Sequence, residues 1–295
     1  MDFSKLLDGM SWFAEKINEA IWSIVYGAAS DIASDSFEFV MKYVLVETDP
    51  NRIVDFSSYL GMMQSIALAL LLFAISWEGV KYHSGTFGEE ITIQALLMRT
   101  FFSSVSIFFL PFAMNNFLIK INNLLVKMIV AGGINITPGD VGPFSLLIKP
   151  YKLSLMIIVL YLIFAIAFLV LGIVGGIRYM EIVILTLIAP LAAVSIVRGG
   201  ELLEVWVRES IAVVFTQSLQ VFLLWFLLGT IGKMGEGDVV ELYLITIGCL
   251  VLMIAGPQGL RKFVYNTGVG STGTRAIGNA GRMAVYKSIG KGALK

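Results

Sequence analysis

Between Leu153 and Val197 the chain is apolar almost without interruption. Residues 153–176 read LSLMIIVLYLIFAIAFLVLGIVGG, twenty-four positions without a charge; IRYME follows, and IVILTLIAPLAAVSIV closes a second run. About 20 apolar residues cross roughly 30 Å of hydrocarbon. The pattern therefore predicts two spans, near 153–176 and 179–197, folded as a tight hairpin. Arg178 and Glu181 then stand at the turn, three apart, within reach of each other or of lipid headgroups at a helix end. Gly172 and Gly176, at small-xxx-small spacing, would let the two helices approach closely. The same glycines suit a helix C-terminus just before a turn.

On either side the pattern is more mixed. Phe3, Leu6, Leu7, Met10, Phe13, Ile17, Ile21 and Ile24 recur at intervals of three and four, with Asp8, Glu15, Lys16 and Glu19 between them. This predicts an amphipathic helix over residues 2–30 that lies in the membrane interface or packs on a partner helix. Its acidity is unsuited to anionic lipid, which favours basic polar faces. A second short helix is expected over 37–46, ahead of ETDPN. Residues 1–56 carry ten acidic and four basic side chains and read as a peripheral, acidic N-terminal module.

A transmembrane domain over 57–256 follows. Its first span covers 57–77 and ends on Trp77, a residue type enriched at membrane interfaces. The next, near 96–116, contains Arg99 and Pro111. FLIKINNLLVKMIVA, residues 117–131, interleaves Lys120, Asn122, Asn123 and Lys127 with apolar positions, so it is expected to lie along the surface. GGINITPGDVGP makes an irregular loop. After the hairpin, RGGELLEVWVRES is a short amphipathic connector, and a span over 211–231 carries Gln217 and Gln220 on one face. Buried amides need partners; bonding between helices is the plainer use, and lining a polar pathway the functional one. The last span, 240–256, ends at GPQG. The fold class is all-α, a polytopic helical membrane protein with about six transmembrane helices, or five if the Arg99 helix does not span.

Composition agrees. Hydrophobic residues make up 57% and charged residues 14%, against about 45–50% and 25% in soluble domains. The opening residues lack the basic start and uninterrupted apolar core of a signal peptide. Cys249 is the single cysteine and His83 the single histidine; no intrachain disulfide forms, and no metal site of the usual His/Cys kind is expected. No nucleophile, base and orienting group fall together, so neither catalysis nor a cofactor is expected. Pro111 and Pro190 kink helices or leave carbonyls free.

The tail, 257–295, has seven basic residues and no acidic one. Its GVGSTGTR resembles a phosphate-binding loop only in glycine spacing, because Thr274 and Arg275 replace the Lys and Ser/Thr that hold phosphate and magnesium. With six spans and this tail in the cytoplasm, seventeen Lys and Arg face inward against three outward, the bias expected of membrane proteins. Such a tail fixes topology, and its charge does not choose among anionic lipid, nucleic acid or an acidic partner.

The uninterrupted span, then GIRYMEIVILTLIAPLAAVSI, the connector with Trp206, another long span and the basic GPQGLRKF exit together resemble the TrbL family, polytopic inner-membrane components of conjugative type IV secretion systems. The resemblance covers roughly Leu153 to Phe263, with APLA around Pro190 followed by Trp206 as its most recognisable piece. It implies a channel or scaffold subunit in the cytoplasmic membrane, contributing to the path of a relaxase-linked single DNA strand. The partners it implies are other secretion subunits, the secretion ATPases, membrane lipid and further copies of the chain. The family is usually described with five crossings and an outside N-terminus, one crossing fewer than the pattern predicts. Candidate packing or pathway residues are Arg178, Glu181, Pro190, Trp206, Gln217 and Gln220, and candidates for cytoplasmic docking are Arg261 and Lys262. A stand-alone transporter or small channel is the alternative. It would show repeated halves with interrupted helices, and 57–131 set against 153–255 yields no convincing repeat. A third reading is an assembly scaffold without a pathway.

Overall fold

The computed structural model describes residues 3–44, 47–50, 56–83, 93–132, 155–232 and 239–267. Among these, every regular element is a helix: α1 Phe3–Val44, α2 Phe56–His83, α3 Ile93–Ala113, a π turn Met114–Leu118, α4 Ile119–Ala131, α5 Leu155–Val194, a 3-10 turn Ser195–Arg198, α6 Glu201–Gly232 and α7 Val239–Asn266. Five stretches are long and apolar enough to cross a membrane: Phe56–His83, Ile93–Ala131, Leu162–Arg198, Glu201–Thr230 and Leu244–Asn266. The GINITPGDVGP loop and the GVGSTGTR tail lie outside the described residues.

The hairpin expected at Arg178 and Glu181 is absent. α5 runs through both residues as one helix of 40 residues, about 60 Å at 1.5 Å per residue. Length alone suggested a turn, but GGIRYME contains no proline and Arg, Met and Glu are good helix formers, so nothing there stops the helix. The chain reverses later, at Gly199 and Gly200. Both have positive φ, +115° and +84°, and the Gly200 N–H donates to the Ser195 carbonyl at 2.9 Å, the closing bond of a glycine-terminated helix end. Ser195 Oγ then accepts from the Leu203 N–H at 3.1 Å, in the first turn of α6. The connector expected at 198–210 is thus the beginning of a helix that continues into the 211–231 span.

Other boundaries move for similar reasons. α1 is one 42-residue helix in place of two. Residues 117–131 are a continuation of α3 through the π turn and do not form a separate surface helix; Pro111 sits within α3 without ending it. The last span passes Gly256 and Pro257 and ends at Asn266.

The described residues divide into two compact units. One comprises α1, α5 up to Gly176, α6 from Leu219 and α7 up to Ala255. Within it Ala29, Ala33, Phe37 and Val40 of α1 are buried. The Phe37 ring meets Phe168 edge-on at 5.3 Å, and Phe168 stacks on Phe164. Gly172 has no side chain because Phe39 occupies the place of a Cβ, so the close approach its spacing suggested is to α1. Gly176 has open space there.

The second unit holds the described residues of 47–127 and 177–218 and those from Gly256 to Thr267. Its core has two parts. One gathers Met114, Ile119, Ile182, Ala189, Ala192, Leu203, Trp206, Val213 and Val214; the other gathers Ala67, Leu71, Ala74, Ile107, Ala193 and Val197. Ser103 Oγ donates to the Ala193 carbonyl at 2.9 Å and joins α3 to the end of α5. The buried Glu78 carboxylate receives Lys81 at 3.3 Å and Arg198 at 3.6 Å, tying α2 to the turn before α6.

Candidate functional site

Two polar clusters in the second unit join helices far apart in sequence. The first surrounds residues 47–50, which are not α-helical. Such backbone, in a chain of this apolarity, needs side chains to satisfy it. Thr48 donates its N–H to Asn123 Oδ1 and accepts Asn123 Nδ2 at its carbonyl, both at 3.2 Å, so one amide side chain imitates a strand pairing. Tyr179 on α5 donates its hydroxyl to the Asp49 carbonyl at 2.8 Å. Lys127 pairs with Glu47 at 2.7 Å where both are exposed.

The interior of this cluster is made of neutral amides and hydroxyls. Gln217 Oε1 accepts from Thr48 Oγ1 at 2.9 Å and from Asn122 Nδ2 at 2.8 Å. Asn122 Oδ1 accepts from Ser218 Oγ at 2.6 Å. Asn122 and Gln217 are both 0% exposed. Each acceptor is used, so the arrangement holds the 47–50 segment against α4 and α6.

The second cluster is ionic. Arg261 Nη2 donates to Glu181 Oε1 at 2.7 Å, and its Nε reaches Glu209 Oε2 at 3.1 Å. The Tyr265 hydroxyl donates to the other Glu209 oxygen at 2.8 Å. Arg208 lies over the Tyr265 ring, 5.6 Å from its centre, and also pairs with Glu204 one turn back. A guanidinium presents donors in a planar fork and can serve two carboxylates at once, which an ammonium cannot do with the same geometry. The result is a link from α5 through α7 to α6.

The candidate residues fall into place as follows. Glu181 meets Arg261, and of the two possibilities left open for Arg178 and Glu181, contact with each other or with lipid headgroups, the first does not form among the described residues. Arg178 is 3% exposed, and its Nε and Nη1 have no partner among the described residues. Pro190 lies in α5 beside the core residues Ala189 and Ala192. Trp206 belongs to that core and donates its indole N–H to the Leu185 carbonyl at 2.7 Å. Lys262 is exposed.

Gln217 and Gln220, expected on one face, serve different units. Gln220 Nε2 donates to the Met253 carbonyl at 3.4 Å. Met253 is four residues before Pro257, whose missing N–H leaves that carbonyl free. A glutamine on α6 thus satisfies the helix that the proline interrupts. Cys249 Sγ donates to the Leu223 carbonyl at 3.2 Å in the same unit.

Thr48, Tyr179, Asn123, Ser218 and Glu209 were not among the candidates. Asn122 and Asn123 are legible as polar positions, but their helical period is equally that of a solvated face. The signal that could have corrected it is the side-chain type, because amides interrupting an apolar helix are more at home against another helix than lysines are. No group of three or more His, Cys, Asp and Glu placed to hold a metal occurs among the described residues.

No curated protein and no solved structure matches the chain. The family model described as conjugal transfer protein TrbL matches residues 10–293, which takes in all five apolar stretches and both polar clusters. The match reaches far beyond the 153–263 region that carries the resemblance, and by this near-complete coverage the chain belongs to the TrbL family of conjugal transfer proteins, as a multi-pass membrane component of a type IV secretion apparatus.

Proposed function

We propose that this chain is a packed membrane subunit of the conjugation channel, helping a relaxase-bound single DNA strand across the cytoplasmic membrane by what it forms with its neighbours. The observation that carries this reading is the closed state of the amide cluster around Asn122 and Gln217. Asn122 and Gln217 have no exposed surface and are engaged with Thr48 and Ser218. A stand-alone transporter needs polar groups at its centre that a substrate can reach. Amides that bond one another support a subunit whose contribution to the pathway lies on its outer faces, in an assembly with copies of itself or other secretion subunits. No catalytic step is assigned to it.

The seven basic residues of 257–295 favour a cytoplasmic C-terminus. Five crossings then put the N-terminus on the opposite side. The exposed Lys262 beside Arg261 offers a docking point for the secretion ATPases on the cytoplasmic side.

Affinity purification of a tagged copy from donor membranes in mild detergent, followed by mass spectrometry, tests the assembly. Recovery of secretion ATPases and other polytopic channel proteins is expected, and recovery of the chain alone from mating-competent cells overturns it. Photo-crosslinkers placed on outer faces, for example at Phe108 or Ile184, separate channel from scaffold. Transferred DNA crosslinked during mating supports a pathway role; its absence at every outer-face position leaves a scaffold.

A further inference from the structure

α1 carries a repeat that its own chain leaves uncovered. From Phe3 the steps alternate between four and three residues, and positions 3, 7, 10, 14, 17, 21, 24 and 28 are all apolar. A seven-residue repeat of this kind marks helices that wind round one another. A period of about 3.5 keeps the seam on a partner helix, whereas a straight helix drifts about 20° per heptad. The charges follow the same repeat. Lys5, Asp8, Glu15, Lys16 and Glu19 are the five charged residues between 3 and 28, and all fall at the positions farthest from the seam.

Where its side chains are described, the seam is open. Ile17, Ile21 and Ile24 are exposed, Ile24 at 71%. The residues of α1 that its own unit buries, Ala29, Ala33, Phe37 and Val40, lie about 145° round the helix from them at about 3.6 residues per turn. Lipid is a poor cover for the open face. α1 is not among the five stretches apolar enough to cross a membrane. On its polar side Asp8, Glu15 and Glu19 outnumber Lys5 and Lys16, which is unsuited to an anionic bilayer surface. A heptad seam is instead complementary to a second copy of itself.

The same register marks where such a contact ends. Its next positions are Asp31, Asp35 and Glu38, all exposed. Between parallel copies each would face its own equivalent, carboxylate against carboxylate, and like charges so placed repel. Beyond Ala28 the copies therefore part, and α1 is held by its own chain, with Phe37 on Phe168.

We infer that residues 3–28 of α1 are the contact through which copies of this chain join, as a parallel coiled coil that ends at Ala28. Copies inserted in one membrane share an orientation, which makes the helices parallel. The inference rests on the assembly reading above, of which it specifies one contact, and does not involve the DNA strand.

Single cysteines test it in the full chain, expressed without other secretion subunits, after Cys249→Ala removes the native thiol. In membranes treated with copper phenanthroline, Ile17→Cys, Ile21→Cys and Ile24→Cys are expected to form disulfide-linked dimers. Lys16→Cys and Ser23→Cys, exposed positions off the seam, are not. Linkage at all three isoleucines requires parallel helices, because in an antiparallel pair only a residue at the crossing meets itself. Equal linkage at Lys16 and Ser23 overturns the seam, linkage at one isoleucine alone overturns the parallel register, and no linkage overturns the contact. Ile21→Glu gives a second measurement. Ile21 is exposed in the single chain, so the variant keeps its helical content, checked by circular dichroism. Its self-association in detergent, followed by light scattering, is expected to weaken about tenfold or more through the loss of a buried isoleucine, with Ser23→Glu as wild type. Association of Ile21→Glu equal to wild type overturns the inference. Failure of these tests with secretion subunits still recovered from donor membranes removes this contact alone. Linkage at the seam, with no other subunit recovered, removes only the wider assembly.

Discussion

Arg261 and Glu181 meet at 2.7 Å although 80 residues separate them in the chain. The same guanidinium reaches Glu209 at 3.1 Å, so one side chain holds α7 to both α5 and α6. All three groups are about one-quarter to two-fifths exposed, and solvent screening reduces each pair to about 1 kcal/mol or less. Arg261→Ala is expected to lower stability by roughly 1–2 kcal/mol through the loss of two pairs, with Arg261→Lys recovering part of it. A double-mutant cycle of Arg261→Ala and Glu181→Gln in chemical or thermal unfolding checks this. Strict additivity of the two substitutions would contradict the link.

Gln217 is the acceptor on which the neutral cluster depends. Gln217→Leu keeps the approximate volume but leaves Thr48 Oγ1 and Asn122 Nδ2 without their acceptor. Interhelical hydrogen bonds in membranes average about 0.6 kcal/mol, but two orphaned buried donors raise the expected loss to roughly 2 kcal/mol or more. Gln217→Glu retains an acceptor but buries a charge, and is expected to be worse. Limited proteolysis near residues 47–50 is the local readout, since release of that segment would make it cleavable. Protection equal to wild type in Gln217→Leu would mean that Asn123 and Tyr179 suffice.

Gly172 and Phe39 form a steric pair. A methyl group at Gly172 would overlap the Phe39 ring, and Gly172→Ala is expected to cost about 1–3 kcal/mol as α1 is displaced. Removing the ring should relieve the clash, so Phe39→Ala is expected to suppress the thermal defect of Gly172→Ala while being destabilising alone. Unchanged melting of Gly172→Ala would show that Phe39 takes another rotamer without penalty.

Gln220 and Pro257 are coupled through the Met253 carbonyl. Gln220→Leu is expected to destabilise the wild-type chain by about 1 kcal/mol by leaving that carbonyl unsatisfied. In a Pro257→Ala background the backbone N–H at 257 bonds to Met253 itself, and the same substitution loses most of its effect. The interaction energy between the two sites, measured by unfolding in detergent, is the quantity to compare. A Gln220→Leu effect of the same size in both backgrounds excludes the compensation.

The helical class, the membrane environment and the family were all determined by the sequence alone. Each depends on local quantities: length of uncharged runs, period of apolar positions, and an ordered series of motifs from the 153–176 run to GPQGLRKF. The need of Gln217 and Gln220 for partners was also legible, because an amide within an apolar helix has to be satisfied wherever the helix packs. Only the tertiary structure decided what those partners are. Gln217 finds Thr48, 169 residues away, and Gln220 finds a carbonyl freed by a proline in the next helix. The turn was misplaced for a physical reason. Hydrophobic length is measured against one bilayer, whereas a helix ends only where backbone chemistry ends it, and that happens at Gly199 and Gly200, not at Arg178. Glu181 accordingly projects from the side of a continuous helix, where packing brings α7 and Arg261 against it.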